Sequence, residues 1–312
     1  MAVFAVDKDF YGIDLFEEGK PERSSAYLIR ASEPILVETG SARSHQTLVE
    51  GLRELGMAPE DVRHVVITHV HLDHAGGVGQ MMEAAPKALL HCHPRAARHM
   101  IDPSRLEEGA RAVYGEQMEA MFGVLKPVPE SRVIIQEDGS VLDVGDRQLI
   151  FYDTPGHAKH HACILDSQTR GLFSGDTVGI RYAPAYTGWD FVYGFPTTSP
   201  SDFDPEVMLK SLDRLEALDP TRIYHTHFGV TEPASEAFRF SRRGIQAIQR
   251  IMPMLSPEST LEEVEAALKG AIQKDLAALG HADWDVSPLT LDIILDSQGI
   301  LVYLQRQAAG KL

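Results

Sequence analysis

Four side chains that can bind a metal ion fall within six consecutive positions of the chain. They are His69, His71, Asp73 and His74. The apolar run at 65–67 precedes them and predicts a buried strand, while two glycines and a segment of helical character follow. We therefore expect a metal site in a loop between a strand and a helix. Imidazole and carboxylate suit zinc, iron or manganese, and one rigid loop presents several ligands at little entropic cost.

Three later segments place an imidazole or a carboxylate just beyond a short apolar run. The first contains His157, the second Asp176, and the third both His225 and His227. In layered α/β folds such strand ends converge on one edge, where residues distant in sequence can meet. Five histidines and two aspartates at one edge predict a site for two metal ions. Whether His225 or His227 takes part stays open at this point.

A site of this composition favours hydrolysis. Two divalent cations that share a water lower its pKa from about 15.7 towards about 7, which gives a bridging hydroxide as nucleophile. They also polarise a carbonyl oxygen and stabilise the charge that develops on it. We expect two divalent ions per chain, zinc first, with iron and manganese as alternatives. The expected substrate is a small ester, thioester or lactone.

The motifs resemble those of the metallo-β-lactamase superfamily of hydrolases. HxHxDH begins at His69, TPGH ends at His157, SGDT contains Asp176, and HFG begins at His227. The four pieces occur in the order typical of that family and are most similar to its glyoxalase-II-like and lactonase-like branch. The resemblance implies an αββα sandwich: two mixed sheets face each other, helices cover the outside, and the site lies at one edge.

The resemblance also implies how the ligands are shared between the two metals. The first metal would be held by His69, His71 and His157, the second by Asp73, His74 and His227, and both by Asp176. Asp73 and Asp176 are then the candidate catalytic residues. His227 is favoured over His225, because the matching family histidine is followed by a short glycine-containing loop. Glu38 stands where the family usually has Asp, and we expect it to orient a ligand imidazole.

An aromatic segment lies between the last two motifs. Six of its residues are aromatic, although the whole chain is only 7% aromatic. Four of them are candidate substrate contacts, together with two histidines near the motifs: Tyr182, Tyr186, Trp189, Tyr193, His161 and His225. A wall of the substrate pocket is one interpretation. The alternative is a loop that covers the core with its aromatic side chains.

The remaining pattern divides the chain into a metal-binding domain, 1–235, and a helical C-terminal appendage, 236–312. Helices are predicted at 44–55, 205–218, 238–252, 260–279 and 290–307, and successive strands between 132 and 176. Asp204 is the expected N-cap of the second helix.

The composition favours a small molecule as the substrate and argues against nucleic acid or a membrane as a partner. Lys and Arg total 29 against 45 Asp and Glu, a net charge of −16, and no basic run appears, which argues against nucleic acid. No apolar run reaches about 18 residues, so no membrane span is expected. Cys92 and Cys163 lie in apolar contexts and provide no disulfide framework, and the first residues lack the features of a signal peptide. We expect a cytoplasmic protein, and homo-oligomers remain open.

Two further questions stay open in the sequence. Lactonases of the superfamily often carry a tyrosine three residues after the bridging aspartate, where this chain has Gly179. Glutathione-thioester hydrolases bind their ligand through basic C-terminal residues, and this region offers Arg239, Arg242, Arg243 and Arg250. The alternative function is an iron-dependent oxidoreductase of the same fold, either a persulfide dioxygenase or a diiron protein. His71 argues against the diiron type, which usually has Glu at that position.

Overall fold

A computed structural model describes residues 3–198, 200 and 202–312; the first two residues of the predicted first domain lie outside it. Within the described chain, the N-terminal half builds a seven-stranded mixed sheet. Its strands follow one another in space as they do in sequence: β1 (Val3–Asp7), β2 (Phe10–Asp14), β3 (Ser25–Ile29), β4 (Ile35–Val37), β5 (His64–Val66), β6 (Leu89–Cys92) and β7 (Val133–Ile135). Strands β1 to β4 pair antiparallel, and β4 to β7 pair parallel.

The second half of the strands forms another mixed sheet and a separate hairpin. These strands are β8 (Val141–Asp143), β9 (Gln148–Asp153), β10 (Ala162–Asp166), β11 (Gly171–Phe173), β12 (Ile180–Tyr182), β13 (Tyr193–Phe195), β14 (Arg222–Tyr224) and β15 (Val230–Thr231). The sheet has the order β15-β14-β11-β10-β9-β8, and β12 pairs with β13. Only β11 and β14 run parallel within this sheet as the structure describes it.

Helices connect the strands and cover the outer faces of both sheets. They are α1 (His45–Glu54), α2 (Leu72–Ala75), α3 (Val78–Ala84), α4 (Pro94–Ile101), α5 (Ser104–Tyr114), α6 (Gln117–Phe122), α7 (Pro184–Thr187), α8 (Pro205–Glu216), α9 (Ala234–Ile251), α10 (Leu261–Ala278) and α11 (Thr290–Ala308). Apolar residues of α1, α3 and α4 pack on the first sheet, and those of α8 to α11 pack on the second. The predicted αββα sandwich is therefore confirmed.

The two sheets meet through a layer of aromatic rings. Phe10 and Tyr27 of the first sheet contact Phe173 and Tyr224 of the second, with ring centroids 4.8–5.8 Å apart. All four side chains are almost fully buried. Because aromatic rings bury a large apolar area in rigid shapes, this layer fixes the spacing of the sheets beside the edge where the motifs lie.

The predicted helices form close to their expected limits. The carboxylate of Asp204 accepts hydrogen bonds from the backbone N–H groups of Glu206 and Val207, so it caps α8 as expected. Three long helices occupy the C-terminal region. Their buried residues share one core cluster with the outer face of the second sheet, and the division at residue 235 stays a prediction. In the described part of the chain, no helix has the length and apolar character needed to cross a membrane.

A buried ion pair in the second sheet yields a stability prediction. Nη2 of Arg147 lies 2.5 Å from Oδ2 of Asp166, and both side chains are buried. Asp166→Ala leaves the guanidinium buried without its partner, so the free energy of unfolding should fall by about 3–5 kcal/mol. Glu83→Ala breaks the exposed Lys126–Glu83 pair and should cost at most about 1 kcal/mol. Urea unfolding of both variants tests this, and equal losses would contradict it.

Candidate metal centre

The first motif lies where β5 leaves the parallel part of the first sheet and the short helix α2 begins. Glu38, which follows β4, holds this loop at both ends. Its Oε1 accepts the backbone N–H of Thr68 at 2.6 Å, and its Oε2 lies 2.6 Å from Nδ1 of His74. With the proton on Nδ1, the lone pair of Nε2 points away from Glu38 and into the site. The structure thus supports the orienting role expected for this carboxylate.

The other motifs reach the same place through the register of the second sheet. Phe173 of β11 pairs with Tyr224 of the parallel strand β14, and Asp176 and His227 each follow three residues later. The ends of the two parallel strands therefore deliver both side chains to one edge. His157 lies four residues beyond the end of β9. Its Nδ1 lies 3.4 Å from the carbonyl oxygen of Thr197.

The first group of candidate ligands consists of His69, His71, His157 and Asp176. Nδ1 of His71 lies 2.9 Å from Nε2 of His69 and 3.0 Å from Nε2 of His157. Oδ2 of Asp176 lies 3.5 Å from Nε2 of His157 and 3.9 Å from Nε2 of His69. Metal–nitrogen distances of about 2.0–2.1 Å place neighbouring ligand atoms roughly 2.9–3.4 Å apart. The two nitrogen–nitrogen separations fit one coordination sphere, and the two distances from Asp176 are longer.

The second group consists of Asp73, His74 and His227. Oδ2 of Asp73 lies 3.4 Å from Nε2 of His227 and 3.7 Å from Nε2 of His74. Oδ1 of Asp176 lies 3.2 Å from Nε2 of His74 and 3.5 Å from Nε2 of His227. One oxygen of Asp176 therefore faces each group, which is the arrangement that a bridging carboxylate requires.

Unpaired atoms inside the site test whether metal ions fit there. Among the described residues, Nε2 of His74 and Oδ1 of Asp176 are buried without a hydrogen-bond partner. Such atoms cost free energy unless another partner satisfies them. An imidazole nitrogen also carries only one proton or one lone pair, so Nδ1 of His71 cannot hydrogen-bond fully to both of its nitrogen neighbours. A cation in each group satisfies all of these atoms.

The electrostatics of the site separate two kinds of histidine. Burial, together with neighbouring imidazoles, holds the pKa values of His69 and His71 well below the ordinary value, so both rings are neutral as metal ligands must be. Burial also opposes protonation of His74, yet the carboxylates of Asp176, Asp73 and Glu38 raise its pKa well above the ordinary value. The same concentration of negative charge attracts a metal cation.

His161 lies behind the site and supports Asp176. Its Nε2 accepts the backbone N–H of Asp176 at 3.2 Å, and its Nδ1 lies 2.9 Å from the hydroxyl of Thr154. Gly175 packs against it with φ +47°, and a Cβ there would lie 2.5 Å from Nε2 of His161. This placement fits a residue that positions the aspartate, and it does not support direct contact between His161 and a substrate.

His225 and His227 both follow the end of β14 but make different contacts. Nε2 of His225 lies 2.9 Å from the hydroxyl of Thr231, and its ring stacks on Phe240. The side chain is fully buried and belongs to neither group of candidate ligands. The geometry therefore supports His227 as the ligand and gives His225 a place in the core rather than at a substrate.

The aromatic segment packs under the C-terminal helices. Tyr182, Tyr186, Trp189 and Tyr193 are buried in the core cluster of the second sheet. The hydroxyl of Tyr193 donates to Asp275 of α10 at 3.0 Å, and the indole N–H of Trp189 donates to the carbonyl of Asp285 at 3.2 Å. This placement corresponds to the core-covering alternative and does not support direct contact of the four rings with a substrate at the metal ligands.

A cavity of about 80 Å³ adjoins the second group of candidate ligands. Asp73 and His227 line it together with residues from the loop before β3 and from α5, α6 and α11: Glu17, Glu18, Arg23, Ser24, Tyr114, Met121, Phe122, Leu291 and Leu295. Sequence reasoning missed this second set. It comes from three segments that carry no motif, and only the helical spacing of Leu291 and Leu295 offered a local signal.

Residues 19–227 match the family model described as the metallo-beta-lactamase superfamily. The acyl-coenzyme A thioesterase MBLAC2 of Homo sapiens is 29% identical over 197 residues, which cover 56% of this chain and 63% of that protein. The anaerobic nitric oxide reductase flavorubredoxin of Salmonella typhi is 27% identical over 178 residues, which cover 56% of this chain and 32% of that protein.

A third relative is similar in sequence and in structure. The metallo-beta-lactamase fold-containing protein ST1585 of Sulfurisphaera tokodaii is 28% identical over 173 residues, covering 54% of this chain and 62% of that protein. Its solved structure superimposes with a TM-score of 0.63 at 20% identity and covers 96% of this chain and 98% of that chain. The structural likeness shows the fold. In sequence, the chain spans less than two thirds of the curated relatives it matches first.

A matched pair of variants tests the assignment of the last ligand. His227→Ala removes one of the three side chains of the second group, so the protein should lose about one of two metal equivalents and at least 100-fold in turnover. His225→Ala changes the same residue type two positions away and should keep both equivalents. Elemental analysis after loading with zinc gives the metal content. Equal metal loss in the two variants would contradict the assignment.

A second prediction concerns Glu38. Glu38→Ala frees Nδ1 of His74 and the N–H of Thr68, so metal affinity should fall by about 10–100-fold. Glu33→Ala is the control, because this exposed carboxylate also lies 2.8 Å from a histidine, His64, but outside the site. Competition with a chromophoric chelator measures both affinities. An unchanged affinity in Glu38→Ala would remove its orienting role.

Proposed function

The chain belongs to the metallo-β-lactamase superfamily, and from this premise we propose that it is a binuclear metal-dependent hydrolase of a small thioester or ester. The observation that carries the proposal is the placement of Asp176, whose two oxygens face different groups of candidate ligands. A site for one metal needs no such residue. The similarity to a protein named acyl-coenzyme A thioesterase supports the thioester as the first substrate class.

The chain's own residues would hold the two ions and keep their ligands in the reactive form. One ion would take His69, His71 and His157, the other Asp73, His74 and His227, and both would take Asp176. When bound, the ions supply Lewis-acid charge and lower the pKa of coordinated water. Glu38 keeps a proton on Nδ1 of His74, and so leaves its Nε2 free to ligate. Zinc is the first choice, because buried imidazoles and carboxylates at these spacings suit it.

The structure weighs against the lactonase interpretation. Gly179, at the position where lactonases often have tyrosine, adopts φ +85°. A Cβ at this position would lie 2.6 Å from the carbonyl oxygen of Phe195, so the backbone leaves no room for a side chain. Tyr182 and Tyr186 are buried in the core and do not replace the missing donor. Open-chain thioesters and esters therefore take precedence over lactones.

Three of the four arginines on α9 pair with carboxylates of the protein itself. Arg242 pairs with Asp213 and Glu216 at 2.8 Å, and Arg243 pairs with Asp275 at 2.7 Å. Arg239 lies 3.6 Å from Glu236 on its own helix. These charges are neutralised by the protein itself, which lowers their value for binding the carboxylates of glutathione.

An iron-dependent oxidoreductase is the alternative, and the similarity to flavorubredoxin is the observation that favours it. The diiron type usually has Glu at the position of His71, whereas Nδ1 of His71 lies centrally in the first group of candidate ligands. The persulfide interpretation uses one metal, for which the second group and a shared Asp176 are unnecessary.

Substrate panels with the zinc-loaded and iron-loaded protein separate these functions. We expect the zinc form to hydrolyse acetyl and butanoyl thioesters, with Asp176→Ala at least 100-fold slower, because it removes the shared carboxylate. Oxygen uptake with glutathione persulfide should stay at background in both forms, and a plasmid should remain uncut at physiological salt. Persulfide-dependent oxygen uptake without thioester hydrolysis would replace the proposal by the oxidoreductase.

A further inference from the structure

We propose that the cavity between α5, α6 and α11 is a pocket for a short, uncharged acyl group. This inference rests on the proposed hydrolase function and specifies which part of the substrate enters the protein. The cavity adjoins the candidate metal ligands directly, since Asp73 and His227 form part of its wall. A group bound there has its reactive end at the ligands.

The walls of the cavity that α6 and α11 form are apolar. Met121 and Phe122 come from α6, and Leu291 and Leu295 lie one turn apart on α11. The ring of Tyr114 packs on Phe122 with centroids 4.8 Å apart, which fixes the wall formed by α5 and α6. Because hydrocarbon is transferred favourably from water into such surroundings, an aliphatic group is the occupant that these walls favour.

The α5–α6 wall is tied to the metal loop. Leu72, directly before Asp73, is buried in one small cluster with Ala110, Met118 and Leu125. The cluster thus places the apolar wall and a candidate ligand in a fixed relation. A substrate group that lies against Met121 and Phe122 is held at a defined distance from Asp73.

The opposite wall is held by a buried ion pair. Arg23 donates from Nη2 and Nη1 to the two oxygens of Asp292 on α11, at 2.6 and 3.0 Å. Its Nε donates to Glu18 at 3.1 Å. Each side-chain nitrogen of Arg23 thus already has an acidic partner. The paired guanidinium closes the cavity against α11 and is not available to bind a carboxylate of the substrate.

The described side chains that line the cavity offer no free arginine or lysine to an anion. Arg23 is the one such residue among them, and it is engaged by Glu18 and Asp292. A dicarboxylic acyl group such as succinyl would bring its second carboxylate into the cavity without such a side chain to pair with it. Neutral aliphatic acyl groups are therefore preferred over succinyl groups of similar length.

The size of the cavity decides which half of a thioester it takes. At about 80 Å³, the cavity has room for a small group only. Glutathione or coenzyme A is far larger than this space, so the thiol half must extend out of it. The acyl half, with a chain of a few carbons, enters.

The experiment uses zinc-loaded full-length protein and thioesters of N-acetylcysteamine with acetyl, butanoyl, hexanoyl, octanoyl and succinyl groups. For the unaltered protein, kcat/KM should rise about 4-fold per methylene up to the length that fills the cavity and fall beyond it. Succinyl should be at least 10-fold poorer than butanoyl. Leu295→Ala lengthens the cavity, so the optimum should move to a chain about two carbons longer.

Leu301→Ala is the matched control, because Leu301 lies on the same helix and packs on the core cluster outside the cavity. It should leave the acyl profile unchanged. Metal content and thermal unfolding of both variants show that each is loaded and folded. A second series, butanoyl esters of ethanethiol, N-acetylcysteamine and glutathione, tests the other half of the substrate.

The outcomes separate the two proposals. Hydrolysis with an unchanged acyl profile in folded, metal-loaded Leu295→Ala overturns the pocket and leaves the hydrolase standing. A shift in thiol preference instead of acyl preference would assign the cavity to the leaving group and also overturns the inference. If none of the thioesters is hydrolysed by the metal-loaded protein, the proposed function itself fails.

Discussion

Seven candidate metal ligands share one edge of the sandwich, and this crowding is the constraint on which the rest of the site depends. Five imidazoles and two carboxylates lie with their polar atoms close together and with little water to solvate them. Without cations, such an arrangement leaves unpaired atoms in a medium of low dielectric constant, where each is costly. The fold must therefore hold these groups in place by other contacts until ions satisfy them.

Those contacts are short hydrogen bonds from residues that are not candidate ligands. Glu38 ties the ends of the first loop together through Thr68 and His74, and His161 holds the backbone of Asp176. Between the sheets, Tyr27 donates its hydroxyl to the carbonyl of His225 at 2.6 Å and so fixes the strand end before His227. Preorganisation of this kind keeps the entropy cost of ordering the ligands out of the metal-binding step.

The sequence was most informative where the residues that act together lie close to one another in the chain. Residues 69–74 bring four candidate ligands within one loop, and the helices of the C-terminal region show clear periodicity, so both could be predicted. How the candidate ligands divide between two metals could be predicted only from the resemblance to a family, because this division depends on the parallel register of β11 and β14. The role of the aromatic segment was not readable, since a core-covering ring and a substrate-facing ring have the same residue type.

The cavity lay beyond sequence reasoning for a different reason. Arg23 and Asp292 are separated by 269 positions, and neither belongs to a motif. Their pairing depends on how α11 packs across the sandwich, and no periodicity within either segment specifies that. The long-range packing of α11 thus determines this pairing, which the local sequence pattern does not specify.

The position of α11 has an evolutionary consequence. The match to the family model ends at residue 227, whereas α11 begins at Thr290, so one wall of the cavity lies outside the part that carries the candidate ligands. The wall that α11 contributes to the cavity is thereby encoded apart from the candidate ligands. A duplicated copy could acquire a different substrate through point changes along one face of a single helix, while the inherited metal site stays under unchanged selection.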